Sequence, residues 1–97
     1  MAIDKGSYKE FEITAKKFKF IPLDIVVNKG DNVRLIITST DVAHGFAMPE
    51  YGINEKLPVG EPVTIEFTAD KQGTFTFLCS VFCGSGHSGM KGQLIVK

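Results

Sequence analysis

Apolar and polar residues alternate along most of this chain. Between Tyr8 and Ala15, Phe11 and Ile13 are interleaved with Glu10, Glu12 and Thr14, the period-two pattern of a strand with one buried face. Phe18 and Phe20 carry the alternation on, with Lys17 and Lys19 facing away, until Ile21-Pro22 breaks it. Leu23, Ile25 and Val27 form a second run, ended by the turn residues Asn28-Lys29-Gly30-Asp31. In Val33 to Thr40, Val33, Leu35 and Ile37 oppose Arg34, Ile36 and Thr38, and the apolar Ile36 predicts burial on both faces. The short turn between these two runs predicts that they form a hairpin.

Residues 41–61 are the least regular part, where His44-Gly45-Phe46 reads as a short strand among Pro49, Gly52, Pro58 and Gly60. Pro62 to Ala69 then alternates Val63, Ile65 and Phe67 with Thr64, Glu66 and Thr68. Asp70-Lys71-Gln72-Gly73 turns into Thr74 to Cys79, with Phe75, Phe77 and Cys79 on one face. Lys91 to Lys97 is a last strand, with either Leu94 and Val96 or Gln93 and Ile95 inward. Helical periodicity is missing throughout. Roughly seven short strands at ~8–12-residue spacing, with no repeat and no linker, predict one all-β domain over residues 1–97, a Greek-key β-sandwich or small barrel.

Composition narrows the picture. Eight Phe and no Trp predict a core dominated by phenylalanine rings. Eleven basic residues balance eleven acidic ones, so the charge gives no footprint for nucleic acid or an anionic membrane. The apolar runs fall far short of the roughly 20 residues that span a bilayer, so no membrane contact is expected of this segment. No charged-then-apolar opening marks a signal peptide, and Met1-Ala2 reads equally as a start or as the boundary left by a removed anchor.

The chemistry is concentrated in Cys79-Ser80-Val81-Phe82-Cys83-Gly84-Ser85-Gly86-His87-Ser88-Gly89-Met90. This stretch holds both cysteines, one of the two histidines and one of the three methionines. Thiolate, imidazole and thioether are a soft ligand set that favours copper. Three glycines and three serines fill the gaps, and no Asp, Glu, Lys or Arg occurs from Gln72 to Met90. A structural disulfide is the simpler use of two cysteines, but so short a closed loop would add little stability. The other histidine, His44, follows the Val33–Thr40 strand at what should be the same rim, held between apolar neighbours.

Three metal sites are compatible with these residues. Zinc would take Cys79, Cys83, His87 and His44 and leave Met90 unused. A mononuclear blue-copper site would take Cys83, His44, His87 and Met90 and leave Cys79 idle. A dinuclear copper site uses every donor, with both thiolates bridging and one imidazole on each metal. An ordinary carrier of copper, with Met48 as an extra soft ligand, also remains open.

Asp41-Val42-Ala43-His44-Gly45-Phe46 together with the Cys79–Met90 loop resembles the CuA domain of cytochrome c oxidase subunit II, a cupredoxin domain also found in nitrous oxide reductase. The strand pattern from Lys16-Lys17-Phe18-Lys19-Phe20 through Lys29-Gly30-Asp31 fits the same domain. The resemblance implies two copper ions bridged by Cys79 and Cys83. His44 and Met90 would sit on one copper, and His87 with the backbone carbonyl of Val81 on the other. It further implies one-electron transfer rather than catalysis. The donor would be cytochrome c or another small carrier and the acceptor an oxidase catalytic subunit, at the extracytoplasmic (periplasmic) face of the cytoplasmic membrane. Val81 stands where the family usually has an acidic residue, so no neighbouring magnesium is expected. The lack of Trp removes the family's usual electron-entry segment.

Overall fold

The computed structural model describes residues 8–80 and 89–97. Nine strands follow in order: β1 (Tyr8–Lys16), β2 (Lys19–Ile21), β3 (Asp24–Val27), β4 (Asn32–Ser39), β5 (His44–Met48), β6 (Ile53–Leu57), β7 (Val63–Thr68), β8 (Gly73–Leu78) and β9 (Lys91–Val96). They form two sheets, ordered β2-β1-β4-β7 and β3-β9-β8-β5-β6. The all-β sandwich expected from the alternation is therefore present, in nine strands rather than about seven.

Alternation sets the faces. In β1 and β4, Ile13, Ala15, Val33, Leu35 and Ile37 point into the sandwich, and they meet Ile25, Val27, Leu94 and Val96 from the other sheet. The last strand thus turns Leu94 and Val96 inward and leaves Gln93 exposed. Phe20, Phe46 and Phe77 form the aromatic centre, with ring centroids 4.9–5.8 Å apart. Such pairs add about 0.5–1.5 kcal/mol each beyond the area they bury. The remaining described phenylalanines, Phe11, Phe18, Phe67 and Phe75, are only half-buried against this core, which is otherwise aliphatic.

Three expectations are corrected. Leu23–Val27 and Val33–Thr40 are not a hairpin: β3 pairs parallel with β9, whereas β4 pairs parallel with β1 and antiparallel with β7. The turn between them crosses from one sheet to the other. Its Lys29 N–H goes to the Lys97 carbonyl and its Gly30 N–H to the Ala69 carbonyl, so its donors are divided between the sheets. Gly30 sits at φ 96°, a conformation that a side chain would strain. Phe18 and Phe20 do not prolong the first strand; the chain doubles back, pairing Ala15 with Phe20 and Lys16 with Lys19. Ile36 is half-buried rather than enclosed on both sides, because it alternates with the inward Leu35 and Ile37 and so faces away from the core.

Candidate metal centre

Three adjacent strands of the larger sheet bring their inward positions to one end. On β5, His44, Phe46 and Met48 alternate inward. On β8, Phe77 is inward and Cys79 follows one step beyond the strand on the same face. On β9, Met90 precedes the strand and is in phase with Leu94 and Val96. His44, Cys79 and Met90 are all buried, and the Phe46 and Phe77 rings form the layer beneath them. The Cys79 N–H donates to the Met90 carbonyl at 3.1 Å, continuing the β8–β9 ladder past Leu78–Lys91. That bond closes the loop at its base.

His44 Nδ1 lies 3.9 Å from Cys79 Sγ. An imidazole nitrogen and a thiolate on one tetrahedral metal stand about 3.5 Å apart, and about 3.7 Å apart at a trigonal angle, given bond lengths of ~2.0 and ~2.3 Å. The observed spacing fits a shared ion with a small adjustment. Both groups are also the uncharged or anionic soft donors that copper prefers.

The other edge of His44 faces Asp41, whose Oδ1 is 2.9 Å from Nε2. The same carboxylate accepts the Lys17 N–H at 2.7 Å and the Val42 N–H at 2.6 Å. Burial pushes the Asp41 carboxyl up, but the hydrogen bonds from Lys17, His44 and Val42 and the attraction of His44 outweigh it and hold the group at about 2. Ser39, also buried, donates its hydroxyl to the Val42 carbonyl. Both polar groups of the Val42 peptide are thus tied to side chains, which fixes the approach to His44. A pocket of about 330 Å³ is lined by Ala43, His44, Lys56, Leu57 and Pro58.

Of the six residues singled out from the sequence, His44, Cys79 and Met90 come together here. Val81, Cys83 and His87 lie outside the described residues, and among the described residues no further His, Cys, Asp or Glu completes a cluster of three metal donors. Met48 is buried in the hydrophobic core together with Phe46. Asp41, bonded to His44, is the neighbour of the site that the sequence did not single out. His44 is not held among apolar neighbours alone, and the signal was an Asp three residues ahead of a His in an irregular stretch.

The family model of the cupredoxin-like domain matches residues 2–96. The chain is a cupredoxin-like domain. Within that family it is homologous to subunit 2 of cytochrome c oxidase: the Thermus thermophilus protein is 35% identical over 85 residues, covering 88% of this domain and 63% of that protein. The nitrous-oxide reductase of Cupriavidus necator is 36% identical over 90 residues, covering 89% of this domain and 14% of the reductase. Among solved structures, a chain of a heme-copper terminal oxidase dimer superposes with a TM-score of 0.84 at 29% identity, covering 98% of this domain and 68% of that chain. The cupredoxin-like domain therefore spans less than two thirds of the curated relatives it matches.

Proposed function

We propose that this domain transfers single electrons through a dinuclear copper centre. In this reading Cys79 and Cys83 would be the thiolates shared by the two metals, His44 and Met90 would hold one of them, and His87 with the Val81 carbonyl would hold the other. The observation that carries the reading is the convergence of His44 Nδ1 and Cys79 Sγ, with Met90 beside them, in a buried corner of the sandwich. The similarity to oxidase subunit 2 and to nitrous-oxide reductase supports it.

A copper pair bound there would supply one-electron redox chemistry. The protein's part is to keep those ligands still. Strand ends supply His44, Cys79 and Met90, so their backbones are fixed by ladder hydrogen bonds. Phe46 and Phe77 exclude water beneath the donors, and such an apolar shell tunes the potential. His44, Cys79 and Met90 are all buried, so none of these three donors is exposed to a substrate, which favours electron transfer over catalysis. In this reading the domain belongs to an oxidase or a related reductase, or is a free-standing relative. Its donor is cytochrome c or another small carrier, its acceptor is the catalytic subunit, and it works at the extracytoplasmic face of the membrane. The Val81 side chain cannot bind a cation, so no magnesium is assigned.

Copper reconstitution followed by metal counting and electron paramagnetic resonance tests the proposal. Two coppers per chain and hyperfine coupling to two equivalent nuclei are expected. Coupling to one nucleus would replace the proposal with a blue-copper carrier. Rapid, complete release of copper to a mild acceptor would replace it with a copper-delivery protein.

A further inference from the structure

Asp41 is not itself among the metal donors, yet its carboxylate determines what His44 can offer. Three hydrogen-bonding groups converge on it: the Lys17 N–H on Oδ2, and the Val42 N–H and His44 Nε2 on Oδ1. Two of these are backbone amides and can only donate. An ionised carboxylate can only accept, so the Nε2 position must carry the proton in the third contact. In a neutral imidazole the proton on one nitrogen leaves the other as a lone pair, and the hydrogen bond of one nitrogen selects the role of its partner. The nitrogen left bare is Nδ1, the one 3.9 Å from Cys79 Sγ.

We propose that Asp41 is a positioning residue for the metal centre, fixing His44 as the Nε2–H tautomer with its Nδ1 lone pair aimed at the Cys79 side. The backbone of Lys17, in the β1–β2 connection, anchors the carboxylate from behind, so the ligand is braced against the opposite sheet. The consequence for copper rests on the function proposed above; the tautomer does not. Asn at this position would keep the shape and lose the logic. An amide has one acceptor and one donor end, so it cannot accept from Lys17, Val42 and His44 together. If its oxygen stays on Lys17, its NH₂ faces Nε2 and turns the ring over to the Nδ1–H tautomer, the wrong one for a metal.

The test begins with metal-free, thiol-reduced wild-type protein labelled with ¹⁵N. Its neutral His44 should show a protonated Nε2 and an unprotonated Nδ1 in long-range ¹H–¹⁵N spectra. A protonated Nδ1 would overturn the proposal without any metal being added. Asp41→Asn should then bind copper about 10–100-fold more weakly, as loss of a ligand's outer hydrogen-bond partner usually does. The reduction potential of what does load should rise, because the carboxylate no longer strengthens the imidazole as a donor. A variant equal to wild type in tautomer, affinity and potential would refute the assignment. If Asp41→Asn does not fold, the wild-type tautomer alone decides. If wild-type protein takes up no copper, the proposed function fails while the tautomer result still stands or falls by itself.

Discussion

At the scale of single residues, carboxylates do much of the fastening. Asp31 accepts the Asn28 N–H and pairs with Lys9 Nζ, both at 2.8 Å, tying the sheet-crossing turn to the start of β1. The hydrogen bond from Lys9 and that from Asn28 hold its carboxyl below the usual 3.8, against a smaller effect of burial. A group depressed in the folded state contributes stability above its unfolded pKa and loses it as the pH falls through its folded value. Asp31→Asn should therefore lower the thermal midpoint at neutral pH, with the gap to wild type narrowing as the pH drops below about 4. Melting both proteins across that range checks it; a pH-independent gap would mean the amide disrupts the turn by its shape and not its charge. Asp41 shows why such residues are hard to find from sequence. A carboxylate three residues ahead of a histidine becomes meaningful only when the intervening loop is known to curl both side chains together.

At the scale of elements, the close packing of β9 against its neighbours depends on Gly92. A methyl group there would sit 2.4 Å from the Leu23 carbonyl oxygen and 2.6 Å from the Phe77 ring. The first of these is backbone that already accepts the Gln93 N–H at 2.8 Å, so it has little freedom to retreat. Gly92→Ala should cost at least about 2 kcal/mol, the range of an overpacked core site. Urea titration at neutral pH measures it, and a loss under about 0.5 kcal/mol would mean that β3 shifts freely. Strand positions and their inward faces were legible from the alternation, since period two reports which side chains share a face. Partners were not. Ile25 and Val27 look the same in sequence whether β3 pairs with β4 or with β9, and only the divided donors of the turn at residues 28–31 separate the two arrangements. For the site, the clustering of donor types along the chain marked the loop. The meeting of His44 with Cys79 depended on β5 and β8 being neighbours in the sheet.

At the scale of the whole molecule, donors from separate stretches of the chain converge only when the sandwich is folded, so metal binding and folding are linked. A ligand at a thousand times its dissociation constant stabilises the native state by about 4 kcal/mol. For a domain of this length that corresponds to a rise in thermal midpoint on the order of 15 °C or more. Calorimetry with and without bound copper, and again after a chelator strips it, should show that rise and its reversal. An unchanged midpoint would mean that the donors do not act together. The turn at residues 28–31 bears on the same question from the opposite end of the molecule. Because Lys29 is bonded to the end of one sheet and Gly30 to the end of the other, sliding the sheets past each other would break both bonds at once. The sandwich is locked against shear at its base. A displacement that accompanied a change of charge at the far rim would then fade before it reached this base, leaving the lower framework mechanically silent.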